Sequence, residues 1–445
     1  MMGRSCDSAM TGTSHRMSRN RHWNFIRWTR ASLSMKWPMK TITLVYFNAG
    51  GGHRAAALAL EEVIRQQERP WRVRLVNLTE VLDPKDNFRK LTGLAPEDLY
   101  NKRLARGWTL GLAQELKLLQ AMIRLSHPAL VRKLQQFWLQ TEPDLVVSLI
   151  PNFNRALYES VNTTLPGVPF VTVLTDMADH PPHFWIEPGQ QQHLVCGTPR
   201  AVEQARAAGY ALENISLTTG MILRPSFYEH RERPQGVQRM DACQALGLDP
   251  NRPIGLVLFG GQGSMQMVSM ARALGDVQLI LMCGHNQVLA DKLKALNRSA
   301  SSAVVGFTSN VAQYMGLADF LVGKPGPGSI SEALHMGLPV ITCKNAWTMP
   351  QERYNADWLA QQGVGLVLSS MRQLPAAVAR LLADLPRYQD RVRQLDNRAV
   401  YELPEIFADL MLAAAAPTGT PTGTGSSAMG ETTAAERAAG KASAL

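Results

Sequence analysis

The sequence predicts an α/β protein of two domains, each built on a parallel sheet, and three observations predict it. Short apolar runs alternate with stretches of helical apolar period along most of the chain. Two glycine-rich turns, Asn48-Ala49-Gly50-Gly51-Gly52-His53 and Phe259-Gly260-Gly261-Gln262-Gly263-Ser264, each follow an apolar run and open a helical pattern. A third, Gly323-Lys324-Pro325-Gly326-Pro327-Gly328-Ser329-Ile330-Ser331-Glu332, does the same. Turns of this kind aim unpaired backbone N–H groups at an anion, so the pattern suggests two domains facing each other across a nucleotide. A Glu a few residues inside the third turn is well placed to hold ribose hydroxyls.

The elements follow in order. Thr41 to Phe47 reads as a fully buried strand, and Arg54 to Gln66 as a helix with Ala56, Leu60, Val63 and Ile64 on one face. Trp71 to Leu78 is the second strand. A long helical tract runs from about Trp108 to Gln140 and is expected to break at His127-Pro128. Asp144 to Ile150, Val168 to Thr175 and His193 to Cys196 are strands, the last followed by helix Pro199 to Ala208. Pro225 to Gln238 is polar, with Glu, Arg, Pro and Gly, and reads as the interdomain linker. Ile254 to Phe259, Val277 to Cys283, Ala303 to Phe307, Phe320 to Val322 and Leu338 to Thr342 follow as strands, each with a helix after it. The expected organisation is a basic extension over 1–40, a first domain over 41–224, a linker over 225–239, a second domain over 240–416, and a tail over 417–445. The tail is Ala, Gly, Thr, Ser and Pro, too poor in large apolar residues to bury a core, and is expected to be disordered.

Composition sets limits. At 445 residues, 45% hydrophobic and 18% charged, the chain is long and apolar enough for two full cores. No apolar stretch reaches the length of a membrane span. The five cysteines are scattered without a Cys-x-x-Cys, which indicates neither a disulfide frame nor a thiolate metal site and fits a reducing compartment. The net charge of +10 is concentrated at the N-terminus, where Arg4, Arg16, Arg19, Arg21, Arg27, Arg30, Lys36 and Lys40 stand against Asp7 alone. The body is only mildly basic, and no nucleic-acid partner is expected. A start at Met35 or Met39 accounts for the extension more simply than a basic arm for anionic lipid or nucleic acid, or a transit-like peptide.

Several motifs in order carry a family resemblance. Gly50-Gly51-Gly52-His53-Arg54-Ala55, Thr175-Asp176 with His180-Pro181, and Gly220-Met221-Ile222-Leu223-Arg224-Pro225-Ser226-Phe227 resemble the N-terminal domain of monogalactosyldiacylglycerol synthases and related diacylglycerol glucosyltransferases. Val305 to Val311, Lys324-Pro325-Gly326 to Leu334, Gly337-Leu338-Pro339 and Gln351-Glu352 resemble the nucleotide-sugar domain of the same family 28 group. The resemblance runs from about residue 41 to 412. It implies a GT-B fold, two Rossmann-like domains across a cleft. It also implies an inverting, metal-independent transfer of a hexose from UDP-galactose or UDP-glucose to the hydroxyl of diacylglycerol. No cofactor is expected beyond the donor. A peripheral place on an anionic membrane surface, at the cytoplasmic face, is expected.

The residues offer matching chemistry. His53 closes the first turn at a helix N-terminus, where the helix dipole favours a neutral imidazole able to accept a proton. It is the candidate base, with Gly51, Gly52, Asp176 and His180 expected to line the acceptor site. Some relatives carry Asp where this chain has Asn48, and Asn48 can orient but cannot take a proton. Arg224 is expected at the leaving diphosphate, Gly261, Gln262, Gly263 and Ser264 at phosphate, and Gly326, Gly328 and Ser329 at the diphosphate. Glu332 is read as the ribose partner, compatible with a capping box to Ser329 in the first helical turn. The resemblance implies that Phe307 packs near uracil; a core residue is nearly as good a reading. The resemblance implies that Gln351 and Glu352 hold the sugar hydroxyls, with Asn355 a weaker candidate. Asp176, Asp179, His180 and His183 have a spacing that would admit a metal, but Pro181-Pro182 breaks helical geometry, so the loop is assigned to site lining and no metal is expected.

The tract Arg106 to Gln140 mixes Leu, Met and aromatic residues with Arg and Lys, and is read as one face to the core and an aromatic-basic end to lipid. Two other readings stay open: a UDP-N-acetylglucosamine-dependent transferase to a polyprenyl-linked saccharide, and a catalytically silent nucleotide-sugar-binding protein.

Overall fold

The strands pair into two six-stranded sheets, all of them parallel. The structure is a computed structural model, and it describes residues 39–48, 51–84, 90 and 112–416. Most of the extension expected over 1–40, Gly50 of the first turn, residues 106–111 of the helical tract and the tail 417–445 lie outside the described residues.

The first sheet holds β1 (Lys40–Tyr46), β2 (Trp71–Asn77), β3 (Leu145–Ser148), β4 (Phe170–Val173), β5 (His193–Cys196) and β6 (Ile215–Leu217), in the order β2-β1-β3-β4-β5-β6. The second holds β7 (Ile254–Leu258), β8 (Gln278–Gly284), β9 (Ser302–Gly306), β10 (Phe320–Gly323), β11 (Val340–Cys343) and β12 (Gly365–Leu368), in the order β12-β11-β10-β7-β8-β9. Helices cover both faces, which is why the central strands β3, β4, β7 and β10 are buried at every position rather than at alternate ones. In β1, Leu44 packs with Ile42 and helix Gly52–Gln66, while its neighbour Val45 packs on the other face with Trp138 and Leu157. Residues Leu256 and Val257 divide in the same way between the two faces of the second sheet.

Three expectations change. The helical tract does not break at Pro128: helix Leu112–Thr141 runs through it. Proline removes one backbone donor there, the Ser126 hydroxyl bonds the Met122 carbonyl at 2.7 Å, and His127 Nε2 meets Glu159 Oε2 at 2.6 Å, which ties the turn to helix Asn154–Thr164. The segment 225–239 is not a plain polar linker. It contains helix Pro225–Glu229, whose Phe227 is fully buried in the second domain's core, and the start of helix Gly236–Ala245. Finally, the last helix, Ala399–Ala415, belongs by chain position to the second domain but packs on the first. Val400, Leu403, Phe407 and Met411, at helical spacing, lie in one core with Ile42, Leu60 and Val147.

The chain therefore crosses between domains twice, and the crossings touch. Thr219 takes both oxygens of Glu402, through its backbone N–H (2.9 Å) and its hydroxyl (2.8 Å), and Arg398 N–H donates to the Thr219 hydroxyl at 2.7 Å. Beside them Tyr228 packs edge-on against Tyr401.

Candidate active site

In an open parallel sheet a ligand sits outside the carboxyl ends of the strands, where the strand order reverses. In the first sheet that point lies between β1 and β3. In the second it lies between β7 and β10. All three glycine turns fall at these two points.

After β1, Gly51 holds a left-handed φ of +81° at the N-terminus of helix Gly52–Gln66, a conformation that a side chain disfavours. His53 follows in the first turn. Its Nδ1 lies 3.1 Å from the Thr175 hydroxyl, just past β4, and its ring centroid is 6.0 Å from that of Trp185. Burial pushes the imidazole down to about 4, while a hydrogen bond to the Leu149 backbone works in the opposite direction. A neutral His53 was expected from the helix dipole; the cause that lowers it here is burial.

Asp176 follows Thr175. Its Oδ2 accepts the Trp185 indole N–H at 2.9 Å, and the residue is only 8% exposed. Burial raises its carboxyl to about 7. The Trp185 bond and Lys324 act to lower it, and Glu352 and Asp179 to raise it. Lys324 and Glu352 belong to the second domain, so Asp176 stands on the first domain's edge and faces them.

The rest of the loop is spent on its own shape. Asp179 accepts the backbone N–H groups of His183 (2.9 Å) and Trp185 (2.6 Å), one on each oxygen, and so holds the loop's turn. His180 lies toward the second domain, its ring centroid 6.1 Å from that of Tyr354. Among the described residues no three His, Cys, Asp or Glu side chains converge as a metal site.

In the second domain, Gly260, Gly261, Gln262, Gly263 and Ser264 form the turn after β7. Gly261 and Gln262 are exposed. The end of β8 clamps the turn from beside it: His285 N–H donates to Gly261 O at 2.9 Å, and Gly284, at φ +57°, leaves room for that carbonyl where a Cβ would collide with it. Ser264 Oγ accepts Gln266 N–H at 3.3 Å, so its oxygen helps cap the next helix and its own hydroxyl proton is left for a ligand.

After β10, Gly326 is the N-cap of helix Pro327–His335, with no side-chain capping bond. The capping-box alternative for Glu332 therefore falls, because Ser329 is inside the helix and Glu332 sits in its second turn rather than its first. The unpaired amides of Gly328 and Ser329 point out of this helix start. Burial raises the Glu332 carboxyl and the Arg224 charge opposes that, so the two side chains share one corner of the cleft. Among the described residues nothing hydrogen-bonds the Glu332 carboxylate. Arg224 reaches Ser309 O at a long 3.4 Å, and its guanidinium lies 5.5 Å from the Phe227 ring centroid.

Glu352 is buried and pairs with Lys324 Nζ at 2.6 Å. Gln351 stays half-buried, its amide against Met349 sulfur. Asn355, fully buried, donates to Pro325 O at 2.9 Å and so ties itself to the β10 turn, while its Oδ1 has no hydrogen-bond partner among the described residues. Phe307 is not a core residue. It is 63% exposed and stacked on His285, with centroids 3.9 Å apart and planes at 18°.

The structure thus brings together His53, Thr175, Asp176 and Trp185 on one wall, and Arg224, Glu332, Lys324, Glu352 and the two glycine turns on the other. Sequence reasoning gave no role to Lys324, Trp185 or His285. The signal for His285 was present: it follows Gly284 at the end of a strand whose neighbour carries the glycine turn.

Comparison with known proteins agrees with this layout. Residues 256–403 match the C-terminal domain of glycosyltransferase family 28. The chain is 27% identical over 360 residues to the chloroplastic monogalactosyldiacylglycerol synthase 1 of Arabidopsis thaliana, covering 76% of this chain and 64% of that protein. It is 27% identical over 361 residues to the chloroplastic monogalactosyldiacylglycerol synthase of Spinacia oleracea, covering 77% and 66%. The chain thus spans a little under two thirds of the length of these relatives. A calicheamicin glycosyltransferase superposes with a TM-score of 0.55 at 16% identity, covering 86% of this chain and 100% of the other, and shares the GT-B fold. Fold and sequence therefore give one result: the chain is similar to the monogalactosyldiacylglycerol synthases, with a family 28 C-terminal domain and a GT-B architecture.

Proposed function

We propose that the protein transfers a hexose, galactose or glucose, from a UDP-sugar to the hydroxyl of diacylglycerol, with inversion and without a metal. The observation that carries this reading is the meeting of two sets of groups. An acceptor wall (His53, Asp176) on one sheet faces a donor wall (Lys324, Glu352, Arg224, Glu332) on the other, with helix and turn amides between them for a diphosphate. The similarity to monogalactosyldiacylglycerol synthases supports diacylglycerol as the acceptor. In this reading the Glu332 carboxylate takes the ribose hydroxyls, Arg224 and the amides of Gly261 and Ser329 take the diphosphate, Phe307 on its His285 platform meets uracil, and Glu352 with Gln351 meets the sugar; the Gly263 amide, expected at phosphate, instead closes the turn by donating to Gly260 O at 3.1 Å.

A donor-by-acceptor panel on purified protein in detergent, with and without EDTA, tests it. Lipid-dependent UDP release from UDP-galactose or UDP-glucose, unaffected by EDTA, is expected. Release that needs a polyprenyl-linked acceptor, or no release at all, would reject it.

Glu332→Ala should weaken UDP binding by about 1–3 kcal/mol, the range for hydrogen bonds to a charged group. Unchanged affinity by calorimetry would remove Glu332 from the ribose site.

Attachment to the bilayer is proposed to be peripheral. Among the described residues no helix is long and apolar enough to cross a membrane. Helix Leu112–Thr141 instead exposes Leu118, Met122 and Leu125, the last 85% exposed, on the side away from buried Ile123 and Leu134, with Lys117 and Arg124 also exposed. Apolar side chains that leave water contribute about 1.5–3 kcal/mol each, and basic neighbours add attraction to anionic lipid. Met122→Ser with Leu125→Ser should lower binding to phosphatidylglycerol vesicles by about tenfold or more, with UDP affinity unchanged. Equal sedimentation of parent and variant would move the membrane face elsewhere.

A further inference from the structure

The site contains two groups able to take the acceptor's proton, and the geometry separates their roles. The His53 ring is engaged at Nδ1 by the Thr175 hydroxyl, and among the described residues no carboxylate contacts it to support a positive charge. Asp176 is held at one oxygen only. Trp185, fully buried, donates to Oδ2, while Oδ1 has no hydrogen-bond partner among the described residues and is not sealed from solvent. The groups that face this carboxyl are Asp179 in its own loop, Lys324 and Glu352 across the cleft, and His53 beyond the Trp185 ring. Lys324, the cation that faces Asp176, also pairs with Glu352 at 2.6 Å.

We propose that Asp176, through Oδ1, is the base that takes the acceptor hydroxyl's proton, with Trp185 positioning it and His53 hydrogen-bonded to the hydroxyl as an orienting partner. This rests on the hexosyltransferase reading above. As the acceptor oxygen bonds to the anomeric carbon, its O–H bond breaks and the proton passes to Asp176. The bond from that carbon to the diphosphate oxygen breaks, and its electron pair leaves with UDP, beside Arg224. The resulting carboxylic acid returns its proton to solvent. Burial makes the carboxyl fit for this role. Held near 7 rather than in the usual carboxylate range, it is both available as a base at neutral pH and strong enough to draw a proton. A base held near 4, as burial leaves His53, would be unprotonated but weak.

The test is kcat/KM against pH for the full chain with detergent-dispersed diacylglycerol and UDP-galactose or UDP-glucose. Activity should rise with pH through a limb near 7. Asp176→Asn should lose that limb and about 10²-fold or more of the rate, with UDP affinity by calorimetry unchanged. His53→Gln should lower the rate but keep the limb. Glu352→Gln removes a charge that raises the Asp176 carboxyl, so it should move the limb to lower pH; this decides the matter even if Asp176→Asn folds poorly. The proposal is overturned if Asp176→Asn works within tenfold of the parent with its limb in place, if His53→Gln is the variant that loses the limb, or if Glu352→Gln leaves the limb where it was. Absence of lipid-dependent UDP release by the parent would instead overturn the functional reading itself.

Discussion

Arg224→Ala should lower kcat by about 10²–10³-fold, the loss typical of removing one preorganised donor from a developing charge. The diphosphate gains negative charge only as the glycosidic bond breaks, so a cation held beside it acts on the transition state more than on the bound donor. Arg224 is suited to this because little else claims it. It precedes helix Pro225–Glu229 and stacks near Phe227, and among the described residues its one hydrogen bond, to Ser309 O, is long. Arg224→Lys should recover only part of the rate, since an ammonium lacks the planar fork that meets two phosphate oxygens at once. Steady-state kinetics with saturating UDP-sugar would check this. A variant with parental kcat and raised donor KM would mean that Arg224 binds the ground state and transition state alike.

Gly284→Ala should be as severe, by a different route. The added methyl would meet the Gly261 carbonyl, a backbone atom that cannot swing aside, and would do so from a residue at φ +57°. The left-handed conformation costs about 1–2 kcal/mol for a residue with a side chain, and the overlap adds about 1–3 kcal/mol. The turn that carries Gly261 to Ser264 must shift, and with it the amides aimed at phosphate. UDP binding should fall by about 10²-fold or more, and thermal unfolding should come earlier. Gly51→Ala is the comparison: it shares a left-handed φ, but its new methyl meets nothing within 4 Å. It should leave UDP affinity near the parent's. A Gly284→Ala protein that binds UDP normally would show that the β8 clamp does not shape the phosphate turn.

Much of this architecture was legible because parallel strands buried on both faces are written as plain apolar runs. The run Ile254 to Phe259 and the run His193 to Cys196 could hardly be anything else. The sixth strand of each sheet was not read. Ile215–Leu217 has three residues and none is buried, and Gly365–Leu368 has two half-buried positions, so neither edge strand has a continuous apolar signature. The partnership of the last helix was hidden for another reason. Its apolar spacing is visible, but nothing local says which of two cores it joins. The site was legible where backbone shape makes it, at the glycine turns. It was not legible where side chains from distant segments meet. Lys324 and Glu352 stand 28 residues apart, and Asp176 lies on the other domain. The expectation for Phe307 failed at its core alternative because a strand-end Phe can turn outward once His285 offers it a ring to stack on.

The double crossing has a mechanical meaning. Two bodies joined by one strand can swivel in any direction. Here they are joined by two, at 219–231 and at 396–402, and the two are fastened to each other through Thr219, Glu402 and the Arg398 amide. Such a joint leaves one easy rotation, about the line on which the paired segments lie, and resists twist and slide. Rotation of that kind opens and closes the gap between Asp176 and the Lys324–Glu352 pair without changing which residues confront each other. The active-site register is thus kept by a doorpost at the paired crossings, and Thr219 is its pin.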